Sequence, residues 1–177
     1  MNTKRLVWYD TLIDIPPLNT LYIAASERRL VATGVNLEEM EFLERIRSQA
    51  ACIPVYAPYR VAAYTCQLQE YLRGERTAFT LPLDLATATT FQKQVLEEVC
   101  NVPFGKVASY RDIAVQIGKP LAARAVGQSL ARNPLPVVIP CHRIIRTDGE
   151  LCGYSANGGI ELKRRLLHLE STLLMDE

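Results

Sequence analysis

Helix-stopping residues recur at short intervals between Thr89 and Arg143, and this punctuation constrains the fold more than any other feature of the chain. Pro103-Phe104-Gly105, Gly118-Lys119-Pro120, and then Pro134, Pro136 and Pro140 follow one another. Proline removes a backbone donor and glycine readily takes the positive φ that ends a helix. The stretch therefore predicts short helices joined by tight turns. Thr89 with Gln92 fits a capping box, and Phe91, Val95, Leu96 and Val99 supply an apolar helical face. Ser109 with Asp112 starts a second helix, with Tyr110, Ile113, Ala114 and Ile117 on one side and Gly118 as its stop. Lys119-Pro120 then turns into a third helix over Leu121–Arg132. Two short helices across a Gly-containing turn form a helix-turn-helix signal, although helical corners with no DNA partner share it.

The contents of that third helix are unusual for a reader of bases. Ala122, Ala123, Ala125, Gly127 and Ser129 are small, and Arg124 is the one long side chain on the early turns. Base readout in the major groove uses several long polar side chains. A smooth helix with one cation suits close, sequence-independent approach to a backbone, or else tight helix packing. Charge bears on the choice. Residues 1–85 carry 9 basic and 10 acidic side chains, whereas residues 106–165 carry ten basic and four acidic, a local net charge of +6. The overall +1 conceals a basic second half, which fits an anionic partner or a solvated basic face.

The first half reads as a small sheet with helices. Leu6–Leu12, Leu21–Ala25 and Leu30–Val35 are β-rich, and Ser26–Arg29 between the last two predicts a hairpin. A helix is expected over Glu38–Gln49 with Met40, Leu43 and Ile46/Arg47 near helical spacing. A firmer one runs from Pro58 to Arg73, with Val61, Tyr64, Leu68, Tyr71 and Leu72 on one stripe and Gly74 as the stop. Phe79–Leu85 reads as another strand, and a linker is placed near Leu85–Thr89. The expected domains are 1–88 and 89–177. Cys52 and Cys66, 14 residues apart with no nearby histidine, are read as core cysteines.

Chemistry concentrates at Pro140-Cys141-His142-Arg143. Val137–Ile139 reads as a short strand ended by Pro140, so the chain must turn, or a water must intervene, for Cys141 and His142 to cooperate. A nucleophilic cysteine needs a depressed pKa, from a base, a cation or a helix N-terminus. His142 and Arg143 offer the first two. A carboxylate is the usual partner that orients an imidazole. Leu162, Leu166, Leu169 and Leu173 form the stripe of a C-terminal helix, and Glu170 falls beside them. An acid on an apolar face needs a partner, which is His142 or an arginine. His168 lies with Arg164 and Arg165 on the basic side.

Asn133-Pro-x-Pro-x-x-x-Pro-Cys141-His142-Arg143, preceded by Ala123-Arg124-Ala125-Val126-Gly127 and followed by Gly153-Tyr154-Ser155 and Gly158-Gly159, resembles the methylated-DNA–protein-cysteine methyltransferases, also called O6-alkylguanine-DNA alkyltransferases. The resemblance covers roughly Phe91–Glu170, with residues 1–85 fitting in length and broad pattern. It implies an α+β protein: an N-terminal ribonuclease-H-like sheet domain and a C-terminal winged-helix domain bearing the helix-turn-helix. It implies repair by direct reversal, in which an O6-alkylguanine, or an O4-alkylthymine, is flipped out of the duplex and alkylates Cys141 irreversibly. His142 resembles the water-linked base, Glu170 the carboxylate orienting it, and Tyr110 the phenol that gives a proton to the departing guanine. Asn133 matches the hinge whose amide ties the helix turn to the cysteine loop, and Arg124 the finger that enters the duplex. Ala123, Ala125, Gly127 and Ser109 are the DNA-facing positions expected around it. Pro136, Tyr154 and Ser155 resemble pocket-lining groups, with backbone groups of Cys141, Ile144 and Ser155 binding the guanine edges.

Three features differ from the family pattern. Val95-Leu96 stands where a tryptophan is frequent, two extra residues lie between Tyr154-Ser155 and Gly158-Gly159, and Cys152 occupies a position where glycine is familiar. Some relatives hold structural zinc through N-terminal cysteines and histidines; this chain has no histidine before His142, so no metal or other cofactor is expected. A transcription regulator would share the helix-turn-helix but gives no reason for Cys141, His142 and Glu170 to converge. A cysteine hydrolase would need an oxyanion hole and leaves the basic helices unexplained. Non-catalytic binders of alkylation damage lack the acceptor cysteine. The expected partner is double-stranded DNA carrying alkylated bases, bound by a monomer with scope for cooperative contacts along DNA. No run of about 18 apolar residues suggests a membrane span, and no signal peptide is read at the N-terminus. Five cysteines without paired spacing fit a reducing compartment, the cytoplasm, or the nucleus in a eukaryote.

Overall fold

A computed structural model describes residues 6–50 and 54–170. The chain divides into two compact units, Met1–Thr87 and Ala88–Glu177. No described helix is long and apolar enough to cross a membrane.

In the first unit, β1 (Trp8–Ile13), β2 (Thr20–Ala25) and β3 (Leu30–Val35) form an antiparallel meander. The chain then passes through α1 (Glu39–Ala50) to β4 (Val55–Tyr56), which pairs parallel to β1, and on into α2 (Pro58–Leu72). The sheet order is β3-β2-β1-β4. Side chains alternate across a strand, and here both faces are covered. Tyr9, Tyr22, Ala24 and Ala32 pack with Phe42 and Ile46 of α1, while Asp10, next along β1, accepts from Thr65 of α2 at 3.2 Å. This double cover explains why β2 is buried at five successive positions. Gly34 is required by the same packing: a Cβ there would fall 2.6 Å from the Phe42 ring.

The hairpin expected across Ser26–Arg29 is present, closed by Ser26 N–H on the Arg29 carbonyl. Three local expectations are corrected. Met40 is exposed and Phe42 takes its place in the core, because the Phe42 ring stacks on Tyr22 at 5.1 Å. Phe79–Leu85 is not a strand; it contributes a single bridge from Leu83 to Leu30. Pro82, with no N–H to give, stops the ladder from extending. Cys66 is exposed and donates to Glu70, so it is no core cysteine, and Cys52 lies outside the described residues.

The second unit contains α3 (Thr90–Cys100), β5 (Ala108–Ser109), α4 (Tyr110–Gln116), α5 (Ala123–Ala131), a 3-10 turn at Cys141–Arg143, β6 (Ile144–Ile145) and α6 (Gly159–Leu169). Val95, Leu96, Val99, Ile113, Val126, Leu130, Ile144, Leu162 and Leu166 fill its interior. Ser109 and Asp112 make a full capping box at the start of α4. At the other end Gly118, with φ 71°, and Lys119 close back onto the Val115 and Ala114 carbonyls, which turns the chain towards α5. The box expected at Thr89 is only half made. Thr89 accepts from Gln92 N–H, but the Gln92 amide instead donates to the Ser129 and Arg132 carbonyls at the end of α5. The Ser129 carbonyl holds only the 3.2 Å bond from Arg132 N–H, and the Arg132 carbonyl lies past the last helical turn, so both draw the side chain.

Candidate active site

The strand expected at Val137–Ile139 is a turn. Pro136 and Ile139 form a bridge across it, Ile139 N–H returns to the Leu135 carbonyl at 2.8 Å, and Val137 sits at φ 77°. Such a value is costly for a β-branched residue and persists only where the surroundings impose it. Asn133 is the group that imposes it. Its Oδ1 accepts from Leu135 N–H at 2.9 Å, and its Nδ2 donates to the Ile139 carbonyl at 3.1 Å and to Cys141 Sγ at 3.2 Å. Pro140, at φ −80° and ψ 60°, then adds an inverse γ-turn, with Cys141 N–H on the Ile139 carbonyl at 2.8 Å. The turn expected before Cys141 and His142 is thus supplied by the backbone itself.

Behind the cysteine lies a closed polar cluster. His142 Nε2 is 2.8 Å from Glu170 Oε1. Arg143 donates from Nε to Oε2 of the same carboxylate at 2.9 Å, from Nη2 to Oε1 at 2.9 Å, and from Nη1 to the Val102 carbonyl at 2.6 Å. Gly105 N–H adds a fourth donor to Glu170 at 3.2 Å. Glu170 caps the C-terminus of α6, where its carboxylate can turn inwards. Both partners weighed for it from the sequence, the histidine and an arginine, are therefore engaged at once. His168 is exposed, and Leu173 lies outside the described residues.

The expectation of a depressed cysteine pKa is corrected. Burial pushes the Cys141 thiol up, with the Asn133 bond and Lys163 opposing. Burial also lowers the His142 pKa, against the pull of Glu170. At neutral pH the resting pair is a thiol and a neutral imidazole, and the imidazole is then able to accept a proton.

Cys141 opens onto a cavity of about 560 Å³. Its walls come from α4 (Tyr110), α5 (Ala123, Arg124, Gly127, Leu130, Ala131) and the loop carrying Cys152, Gly153, Tyr154 and Ser155. Tyr110, first residue of α4, receives a long hydrogen bond from Cys152 Sγ at 3.7 Å; burial and this contact raise its pKa. Gly127 faces the Tyr110 ring, where a Cβ would make ordinary contact at 3.6 Å. Arg124 is exposed and lines the cavity wall. Of the four residues expected to line the pocket, Tyr154 and Ser155 do; Pro136 and Ile144 are buried outside its walls, held by the Pro136–Ile139 bridge and by a bond from Lys163 to the Ile144 carbonyl. Ala125 is half-buried on α5 but off the cavity wall. Ser109, expected to face DNA, is buried with its hydroxyl committed to the cap of α4.

Lys163 is the group that sequence reasoning missed. It is fully buried on α6, and its Nζ donates to the Ile144 carbonyl at 2.5 Å and the Cys152 carbonyl at 3.1 Å. The rule applied to Glu170, that a charge on an apolar helical face needs a reason, would have found it between Leu162 and Leu166. Two of the ten basic residues counted over 106–165, Arg143 and Lys163, are therefore interior and take no part in a basic surface.

Residues 90–172 match the family model for the 6-O-methylguanine DNA methyltransferase DNA-binding domain. The chain is 37% identical over 173 residues to the inducible methylated-DNA–protein-cysteine methyltransferase of Bacillus subtilis, spanning 96% of this chain and 94% of that protein. It is 37% identical over 171 residues to the Methanosarcina barkeri protein of the same name, spanning 95% and 99%. The Mycobacterium tuberculosis OGT, crystallised in complex with DNA, superposes with a TM-score of 0.78 at 35% identity over 93% of this chain and 92% of its own.

Proposed function

The chain belongs to the methylated-DNA–protein-cysteine methyltransferase family, and from that premise we propose that Cys141 is the acceptor for alkyl groups taken from O6-alkylguanine, and by the same chemistry from O4-alkylthymine. The activity is DNA repair by alkyl transfer to the protein's own cysteine. One observation carries the assignment to this residue: the Cys141 thiol and the helix-turn-helix element α5 share a single cavity.

An alkyl group on O6 sits within the base stack, so the nucleotide must leave the duplex before a buried thiol can reach it. The cavity is the proposed receptacle and Arg124 the side chain that takes the vacated place. Neutral His142, oriented through Nε2 by Glu170, accepts the Cys141 proton by way of a water. The sulfur electron pair then forms the new bond to the alkyl carbon, while the C–O bond breaks and its pair stays on the base. Tyr110 gives the base its proton, and the phenolate recovers one from the His142 imidazolium by way of water. The thioether has no carbonyl for water to attack, so each protein molecule acts once.

In this reading residues 1–88 form a ribonuclease-H-like domain and residues 89–177 a winged-helix domain. The 1–88 assignment rests on the β3-β2-β1-β4 order with helices on both faces. The protein acts as a monomer with cooperative contacts along DNA, in the cytoplasm or in a eukaryotic nucleus. The test is intact mass and peptide mapping after mixing with duplex DNA containing one O6-methylguanine. One methyl group on Cys141 per protein, with guanine restored, is the expected result. Repeated turnover, or a methyl group at another residue, overturns it.

A further inference from the structure

Among the described residues of the second unit, four ionisable side chains besides Cys141 are buried: His142, Arg143, Lys163 and Glu170. Arg143 and Glu170 cancel through their paired bonds, and His142 is neutral. That leaves the Lys163 ammonium as one positive charge with no matching anion. Its hydrogen-bond partners are two carbonyl oxygens, and the Tyr110 ring centroid lies 6.0 Å away. A buried charge balanced only by neutral dipoles is disfavoured, and burial does push the Lys163 pKa down. The groups that favour its charged form are Cys152 and Cys141.

We propose that Lys163 is a positioning residue for alkyl transfer: its ammonium is the counter-charge for the negative charge that forms on Cys141 Sγ and passes to the departing base, and its two carbonyl bonds hold the Cys152 wall of the cavity against the cysteine turn. This rests on Cys141 being the alkyl acceptor. When the thiol passes its proton to His142, the buried site keeps its net charge of +1 but now holds a thiolate that the Lys163 ammonium can match, beside the imidazolium. As the carbon–sulfur bond forms, the same unit of charge leaves sulfur and arrives on the base with the broken C–O pair. It passes to Tyr110 when the phenol protonates the base, and is discharged when the proton held by His142 returns to the phenolate. Lys163 has an anion facing it from the loss of the thiol proton until the phenolate is reprotonated, and none before or after. The groups facing it are Cys141 and His142 on the 3-10 turn, Cys152 on the cavity loop and Tyr110 on α4. Only the two thiols and the phenol can become anions there.

The experiment compares wild type with Lys163→Met. The rate at which Cys141 is alkylated by iodoacetamide is followed against pH by peptide mass. The variant's profile is expected to move up by about one pH unit, making it about tenfold slower near neutrality. A superimposable profile overturns the proposal, even if the variant is less active on DNA. If Lys163→Met does not fold, lysine side-chain NMR of wild type and Cys141→Ser decides instead. Coupled groups titrate together, so replacing the thiol should lower the Lys163 midpoint; an unchanged midpoint overturns the proposal. Wild-type methyl transfer from O6-methylguanine duplex is run alongside. Its absence strikes the function itself, whereas its presence with an unshifted variant profile strikes only Lys163.

Discussion

Asn133 Nδ2 stands 3.2 Å from Cys141 Sγ and 3.1 Å from the Ile139 carbonyl, so one amide both shapes the turn and touches the thiol it presents. A donor at this distance favours the thiolate over the thiol.

Replacing Asn133 by Ala removes that donor, leaves the Leu135 N–H without its partner and leaves the Ile139 carbonyl with the Cys141 N–H alone. A buried donor stripped in this way costs about 1–3 kcal/mol. Asn133→Ala should therefore lower stability to urea by about 1–3 kcal/mol and slow alkylation of Cys141. Retention of both would mean that Pro134, Pro136 and Pro140 hold the turn unaided.

The Glu170 carboxylate serves His142 and Arg143 together, so its removal has two separable consequences. Glu170→Gln leaves a buried guanidinium unmatched, with an expected loss of about 3–5 kcal/mol. Adding Arg143→Met should return much of that stability, because the stranded charge is gone, yet it should not return the rate of transfer. Denaturant melts and single-turnover kinetics on the two variants separate these effects. Recovery of rate along with stability would reduce Glu170 to a structural role.

Several of these groups were legible in the sequence and others were not, for reasons that divide by range. Ser109 with Asp112, and Gly118, act within one helical turn, so local chemistry revealed the start and stop of α4. Cys141, His142 and Arg143 are adjacent, and Glu170 drew attention as an acid on an apolar face. Val137–Ile139 misled because β-branched residues favour strands, while the Asn133 side chain, a tertiary partner, imposes a turn. Met40 and Phe42 were exchanged because the Tyr22 ring chooses between them. Lys163 disappeared into a count of basic residues, where a charge serving the interior cannot be told from one serving the surface.

Burial of neutral His142 ties stability to pH. Its folded pKa lies below the ordinary 6.5, so between those two values the unfolded chain binds the extra proton. This contribution is fully present above about pH 6.5 and is lost as the pH falls towards the folded value. The melting temperature should decline as pH falls below 6.5, and His142→Gln should flatten that decline. An identical slope in the variant would show that other groups control it.

Cys152 borders the cavity and donates to the Tyr110 hydroxyl at 3.7 Å. Trimming it to Gly opens space where a large alkyl group would lie. Cys152→Gly should raise the rate with O6-benzylguanine several-fold more than with O6-methylguanine. Equal effects on both, or none, would place the alkyl group elsewhere in the cavity.

Arg124 separates base extrusion from simple DNA binding. It is exposed on α5 beside Ala123 and Gly127, two small residues that let the helix lie close to a groove. Taking a base out of the duplex costs a few kcal/mol, and a cation placed in the gap offsets part of that cost by bonding to the orphaned partner or a nearby phosphate. Arg124→Ala should slow repair of duplex O6-methylguanine by about ten- to a hundredfold, the kinetic equivalent of one to three kcal/mol. The free base O6-benzylguanine needs no extrusion, so its reaction should change little. A regulator using Arg124 for sequence readout would instead lose preference for one DNA sequence and would transfer no alkyl group with either protein. Single-turnover rates for both proteins on both substrates distinguish these outcomes, and equal slowing on duplex and free base would sink the role assigned to Arg124.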